Sequence, residues 1–502
     1  MFYENNLPLK SIKYKNFKID SFGNLNTDTK NQSLSIEDTS LAYNFNSEGG
    51  VLTDGLGVGE LFVKYTDVNV DDQYKIVDAP TDSSSLVACW LFNPWIESEG
   101  AYRSLLVFQS SVGEFYYNDL HTSSTTLIKI PDLIFDKKPL VKRVKCEGRD
   151  SLFLYSDDGD MYVWRYPEYL RKVSTNKTIK DFCIHNNKLF VITRNDSGVL
   201  YLTDNTDITS FGADMSSVKT VMLENEYGFS NKLISFLDDV YLFKDFNISK
   251  ISINDETEEI LLNDIIVSNG KIFENTICVC GKMIIYLASD GVYSFDGKKS
   301  SKINLKISKL FDCVNNNSKA RAVYKDGYYY LACNVCFNNN SHIENELSNA
   351  NMHNNAIIRI NAETFDVIIM RGYDVRDLSL INDTYYSYIM VTIFDKGILR
   401  LGILDTSGIV FGEPTQKLWS VPLFEVGQID KEKIVDKISL LSKSDILIQI
   451  YCDNYMREFN IKGSDVYQSF RPLVKGKKIK IDFVSKTNGC YIASPQFYLG
   501  YL

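Results

Sequence analysis

MIIYLASDGVYSF, residues 283–295, is two apolar, β-branched or aromatic runs joined at an Asp-Gly turn, the pattern of a β-hairpin. Outward from it the same phrase returns. Upstream stand LLVFQSSVGEFYY (105–117), SLFLYSDDGDMYVW (151–164), KLFVITRNDSGVLYL (188–202) and LISFLDDVYLF (233–243); downstream stand AVYKDGYYYLAC (322–333) and MVTIFDKGILRLGIL (390–404). Their turn residues, Gly113, Gly159, Gly198, Asp239, Gly291, Gly327 and Gly397, are spaced by 46, 39, 41, 52, 36 and 70 residues. Most of these bracket the roughly 40–50 residues of one propeller blade.

Two stretches read as complete four-stranded units. One is 274–307 (NTICVC, MIIYLAS, GVYSFDG, KINLKI) and the other 320–371 (RAVYK, YYYLACNV, AIIRI, FDVIIM). The second contains NNNSHIENELSNANMHNN (338–355), a polar insertion that accounts for the longest interval and reads as a protruding loop. The expected fold is all-β: a β-propeller of six to eight blades, seven preferred, over residues 86–422. Residues 1–85 form an N-terminal arm with linking strands, and 423–502 a small β-sandwich-like unit. Composition agrees: aromatics make up 13% of the 502 residues and Pro only 10, which favours pleated sheets over disorder. No window sustains the stripe of an amphipathic helix.

Lys plus Arg number 54 against 64 Asp plus Glu, a net charge of −10 that argues against broad or sequence-specific nucleic-acid binding. The opening MFYENNLPLKSIKYKNFKID has Glu4, Lys10, Lys13, Lys15 and Lys18 and no apolar h-region, and no later run is long enough to span a bilayer. Neither a secretory signal nor membrane insertion is expected, and in a reducing compartment the ten cysteines should stay thiols.

The chemistry-bearing candidates each have a plainer reading. Gly55, Gly57 and Gly59 invite a phosphate loop, but no strand-to-helix context or GKS/T follows, so a Gly-rich turn between strands is expected. Cys278 and Cys280 with Cys333 and Cys336 are the close cysteine pairs, read as core rather than zinc ligands. His121, His185, His342 and His353 make no compact metal spacing. YSDDGDMYVW departs from the S-x-D-x-G-x-T-W spacing of a sialidase Asp-box, and no GxSxG occurs. No catalytic residue, cofactor or metal is therefore expected. The lysines at 475, 477, 478 and 480 read as the solvated face of an edge strand.

SLAYNFNSEGGVLTDGLGVGEL (40–61) resembles the N-terminal signature of tailed-bacteriophage structural proteins, an A-x-N-F-x-F-x-x-G-x-L-x-x-G-like segment that precedes a β-propeller. LASDGVYSFDGKKSSKIN (287–304) is similar to repeats in the same proteins and in tail hub or nozzle components, as is the closing GKKIKIDF-type strand. The resemblance implies a non-enzymatic virion component of the neck, tail hub or nozzle. Such a component is made in the bacterial host cytoplasm and joined to other virion proteins, as a homo-oligomeric ring in the particle. The candidate assembly arm is IKYKNFKI (12–19), with Ile12, Tyr14, Phe17 and Ile19 as its apolar residues and a slip in their alternation near Asn16 and Phe17. This strand either adds to a neighbour or closes its own fold, and removal of residues 1–40 is expected to leave a folded chain. The alternative function is a receptor-binding or glycan-recognising propeller, with depolymerase activity a further option, in which Trp90, Trp95 and Trp164 are platforms for sugar rings.

Overall fold

The computed structural model describes residues 12–27, 34–66, 73–336, 352–422 and 431–501, save 82, 147, 157–158, 168, 174–176, 195, 197, 214, 224, 254–258, 269, 304, 313, 315–316 and 384–385. Six four-stranded antiparallel sheets follow one another in chain order, at 86–134, 140–173, 179–222, 230–267, 278–302 and 321–371. A seventh is built on Asp374–Asn382, Ser387–Asp395 and Ile398–Asp405. Its fourth strand comes from the other end of the chain: Gly57–Gly59 pairs antiparallel with Ile398–Asp405 and parallel with Ile409–Val410.

Each sheet packs face to face on the next, which explains why the second strands read as unbroken apolar runs rather than alternating ones. In Met283–Ala288, Ile284 and Tyr286 face the fourth sheet while Ile285 and Leu287 face the sixth. Leu105 and Val107 meet Leu154 and Trp164 of the second sheet, and the circuit closes where Met390 and Ile381 of the seventh meet Leu86 and Leu106 of the first. The chain is an all-β propeller. Truncating one such side chain, for example Leu106→Ala, removes roughly 2–5 kcal/mol.

The remaining strands form a sandwich. One sheet runs Ala42–Tyr43, Lys417–Val421, Ile479–Ser485, Ile446–Cys452, Tyr455–Ile461. The other centres on Tyr491–Tyr501 and Lys433–Ser442 and includes Lys13–Lys18, Phe45–Asn46 and Leu52–Asp54. Ile448, Ile481 and Phe483 of the first face Ile438, Phe497 and Leu499 of the second, and this core continues without a break between the fifth and sixth propeller sheets. No helix among the described residues is long and apolar enough to cross a membrane.

Several expectations need correction. The ring ends before 422, because KLWSV (417–421) is wholly buried as an interior strand of the sandwich, between Ala42–Tyr43 and Ile479–Ser485. Residues 1–85 are not a separate arm: their strands enter both the ring and the sandwich. Ile19, Phe22 and Leu25 are core residues, with Phe22 edge-on to Trp419 at 5.4 Å, so removing residues 1–40 would open the core. KINLKI does not form one strand; the strand ends at Lys302 and Leu305–Leu310 turns as a 3-10 helix that buries Ile307. Cys336 is disulfide-bonded rather than a thiol, and since the other described cysteines are free its partner lies outside the described residues. Of the insertion 338–355, residues 338–351 also lie outside them.

Candidate functional site

The four arm residues all lie on or beside one edge strand. Lys13–Lys18 pairs antiparallel with the last strand, from Lys13 opposite Tyr501 to Lys18 opposite Gln496, and the ladder has no register shift. The slip in the apolar pattern is therefore not a bulge. It moves the apolar residues from one face to the other: Ile12 and Tyr14 lie outside, 44% and 58% exposed, while Phe17 packs on the core and Ile19 is fully buried. Gly500 lies opposite Tyr14, and a Cβ there would stand 2.7 Å from Ile434 Cγ2, 2.9 Å from Ile12 Cγ2 and 3.2 Å from the Tyr14 ring. Only glycine lets Ile12 and Tyr14 lie flat across the strand end.

The backbone of this strand has two sides. Ile19 N–H donates to Pro495 O at 3.0 Å, which sets the parity of the ladder. In an antiparallel pair every second residue exchanges both its hydrogen bonds with the partner strand, and the residues between point theirs the other way. Lys13, Lys15 and Phe17 thus bond inward, and Tyr14, Asn16 and Lys18 present N–H and C=O groups to an edge that no described strand covers. Lys18 pairs with Asp20, and that contact holds its ammonium above the ordinary value; Lys15 lies over the Phe17 ring at 4.7 Å. Lysines along an edge discourage pairing with an identical copy.

The segment 40–61 fastens this sandwich to the ring. Asn44 has φ 60°, a left-handed conformation that Asn tolerates better than most residues. Its amide accepts from Arg371 N at 2.7 Å and donates to Arg371 O at 3.0 Å and Gln416 O at 2.7 Å, and its own N–H reaches Ile369 O at 2.7 Å. Gly55 N–H closes the turn on Asn44 O at 3.0 Å, where a Cβ would lie 2.6 Å from that oxygen. Asp54 pairs with the buried Lys417 at 3.0 Å and accepts from Gly489 and Cys490 N–H. The glycine run 55–59 is thus a turn and a closing strand. The A-x-N-F spacing was visible in sequence; the bond from Asn44 to Arg371, 327 residues away, was not.

Trp164 is buried between the first two sheets, and the half-buried Trp90 stacks on Phe115 at 5.8 Å with the Lys138 ammonium 5.5 Å from its ring centre. Trp95 is 46% exposed at the ring surface. Burial pushes the Cys280 and Cys333 thiols well above the ordinary value. His185 binds Ser235 and the Asp238 carbonyl, and the His353 imidazole is held below its usual value by burial and by Arg376 and Lys319. His342 lies outside the described residues. Among the described residues no group of three His, Cys, Asp or Glu side chains is arranged to hold a metal. Lys475 lies on the short edge strand Val474–Gly476, whereas Lys480 lies on an interior strand and bonds to Asp482 at 3.1 Å.

No protein-family model matches the chain and no curated protein matches it. Solved structures do. BBS1N in complex with ARL6DN shares 10% identity over 64% of this chain and 94% of that one, at TM-score 0.39. Sqt1 of Saccharomyces cerevisiae shares 11% over 73% and 100%, at TM-score 0.40, and PorZ of Porphyromonas gingivalis 12% over 77% and 46%, at 0.36. At these scores the likeness carries no argument, and the fold rests on the sheets described above.

Proposed function

We propose that this chain is a non-enzymatic structural component of a tailed-phage virion, in the neck, tail hub or nozzle, whose seven sheets are the blades of one ring. It is made in the host cytoplasm and joins other virion proteins through the sandwich. The observation that carries this reading is the outward backbone of Tyr14, Asn16 and Lys18, which no described strand covers. An extended segment of a neighbour adds there as a further strand, with main-chain bonds supplying affinity and Ile12 and Tyr14 an apolar seat. The lysines favour an acidic partner strand over a second copy of the same edge. The resemblance of residues 40–61 to phage structural proteins supports the same reading, and those residues join the sandwich to the ring. Quantitative mass spectrometry of purified particles is the test: the chain should appear in a fixed ratio to the capsid protein, a multiple set by a symmetric ring. Its absence from particles that contain the other tail proteins would reject the proposal.

A further inference from the structure

Between the first and second sheets, against Asp383 in the first-to-second connection of the seventh, lies an open cleft of about 580 Å³, with an adjoining hollow of about 330 Å³. The two share Tyr102, Lys145 and Asp150. Their combined size falls within that of small-ligand sites. The first-to-second and third-to-fourth connections of an antiparallel sheet emerge on one side, and the cleft is made from such connections, so it opens on a single face of the propeller.

Its rim is a short ribbon in which Trp95–Ile96 pairs with Ala101–Tyr102. Trp95 and Tyr102 are 46% and 58% exposed and meet edge to face at 5.0 Å. Two large aromatic rings held in the open by a two-residue ribbon need a rigid base, and one is present. Arg103 makes a two-pronged contact with Glu99 at 2.6 and 2.9 Å and reaches Asp119 at 3.1 Å, while Trp95 N–H donates to Asp150 at 3.2 Å across the sheet boundary. The aromatic faces are therefore positioned before any ligand arrives.

The opposite wall is cationic. Arg143 and Lys145 alternate with buried Val144 and Cys146 on the first strand of the second sheet, and both are exposed. Among the described residues neither meets a carboxylate within ion-pair distance, whereas Lys138, Lys142 and Lys177 each do. Asp150 and Asp383 add acceptors, with Asp383 held by the Asn93 amide N–H. Flat aromatic faces bind the C–H faces of pyranose rings, carboxylates accept sugar hydroxyls, and an unpaired guanidinium beside an ammonium takes a single carboxylate. A phosphate dianion would sit less well beside Asp150 and Asp383.

We infer that this cleft binds an acidic saccharide, a sugar chain carrying carboxylates, stacked on Trp95 and Tyr102 with its carboxylate on Arg143 and Lys145. This is a recognition site on the ring, independent of the assembly edge.

The test uses the full chain and two matched pairs of probes: trigalacturonic acid with its methyl ester, and sialyllactose with lactose. Binding is read by calorimetry and by quenching of tryptophan fluorescence. In at least one pair the acid should bind tenfold or more tighter than its neutral partner. Trp95→Ala should weaken both members at least tenfold, and the double substitution Arg143→Gln, Lys145→Gln should weaken only the acid. Circular dichroism of each variant should match the parent, since all three side chains are exposed. No binding of either acid at millimolar concentration, equal binding of acid and neutral forms, tighter binding of uridine monophosphate than of both acids, or variants without effect would each overturn the inference.

Discussion

Asn16→Pro separates the two sides of the edge strand. Asn16 bonds outward, so proline there removes no in-chain hydrogen bond and sits where sheets tolerate it, on an edge with the missing N–H facing away from the partner. The cost to the isolated chain should stay within about 1 kcal/mol. An added strand loses more. It would run about 4.8 Å from this one and draw on the N–H and C=O groups of Tyr14, Asn16 and Lys18. Proline deletes the central donor, and its ring holds the incoming backbone off the flanking pairs as well. Three lost bonds at about 1 kcal/mol each come to about 3 kcal/mol, a weakening on the order of a hundredfold. The assay compares Asn16→Pro and Asn16→Ala by thermal melting and by their occupancy in purified particles. The alanine variant should behave as the parent in both; the proline variant should melt within a few degrees of the parent and be depleted from particles. Full occupancy of the proline variant would refute the edge as a docking site, and a proline variant that unfolds would refute the inferred parity.

Three further outcomes follow from the interior. Asp54→Ala strands the fully buried Lys417 ammonium and frees two backbone N–H groups, and chemical denaturation should show a loss of roughly 3–5 kcal/mol, partly restored by adding Lys417→Met. Asn44→Ala forfeits the side-chain bonds to Arg371 and Gln416 in a left-handed conformation that alanine disfavours, so proteolysis should release the sandwich from the ring earlier than in the parent. Burial pushes the Tyr241 and Tyr286 phenols up to about 12. Between pH 10 and 12 the native chain keeps protons that the unfolded chain has lost, so stability falls as pH rises through that window, by on the order of 2–3 kcal/mol for Tyr286 and by less for Tyr241, whose hydroxyl is more screened by solvent, and phenolate absorbance should rise together with unfolding.

The ring was legible because each hairpin is local: its two strands and turn sit within about fifteen residues, and stacked sheets make the second strands apolar on both faces. The irregular spacing of the turns has a simple origin. The turns at Asp239 and Gly327 join first to second strands, whereas those at Gly113, Gly159, Gly198, Gly291 and Gly397 join second to third. What sequence did not reveal is long-range. Gly57–Gly59 has no apolar pattern beyond Val58, and it becomes a strand because Gly57 alone fits among Asp405, Ser407 and Ile409, where a Cβ would lie within 2.6 Å of three atoms. The arm was recognisable as a strand from IKYKNFKI, but its partner is the far end of the chain. The burial of Ile19, Phe22 and Leu25 depends on a core assembled from residues hundreds of positions away. Of the three tryptophans singled out, the one at the surface is distinguished by its neighbours Asp150 and Tyr102 rather than by its own surroundings in sequence.

The most direct measurement is a reconstruction of the intact particle by electron cryomicroscopy, at a resolution that traces strands. The account predicts propeller discs of this chain in a symmetric ring, with an extended segment of a neighbouring protein hydrogen-bonded to Tyr14, Asn16 and Lys18. Discs whose Lys13–Lys18 edge faces solvent in every copy, or a particle with no such disc, would contradict it.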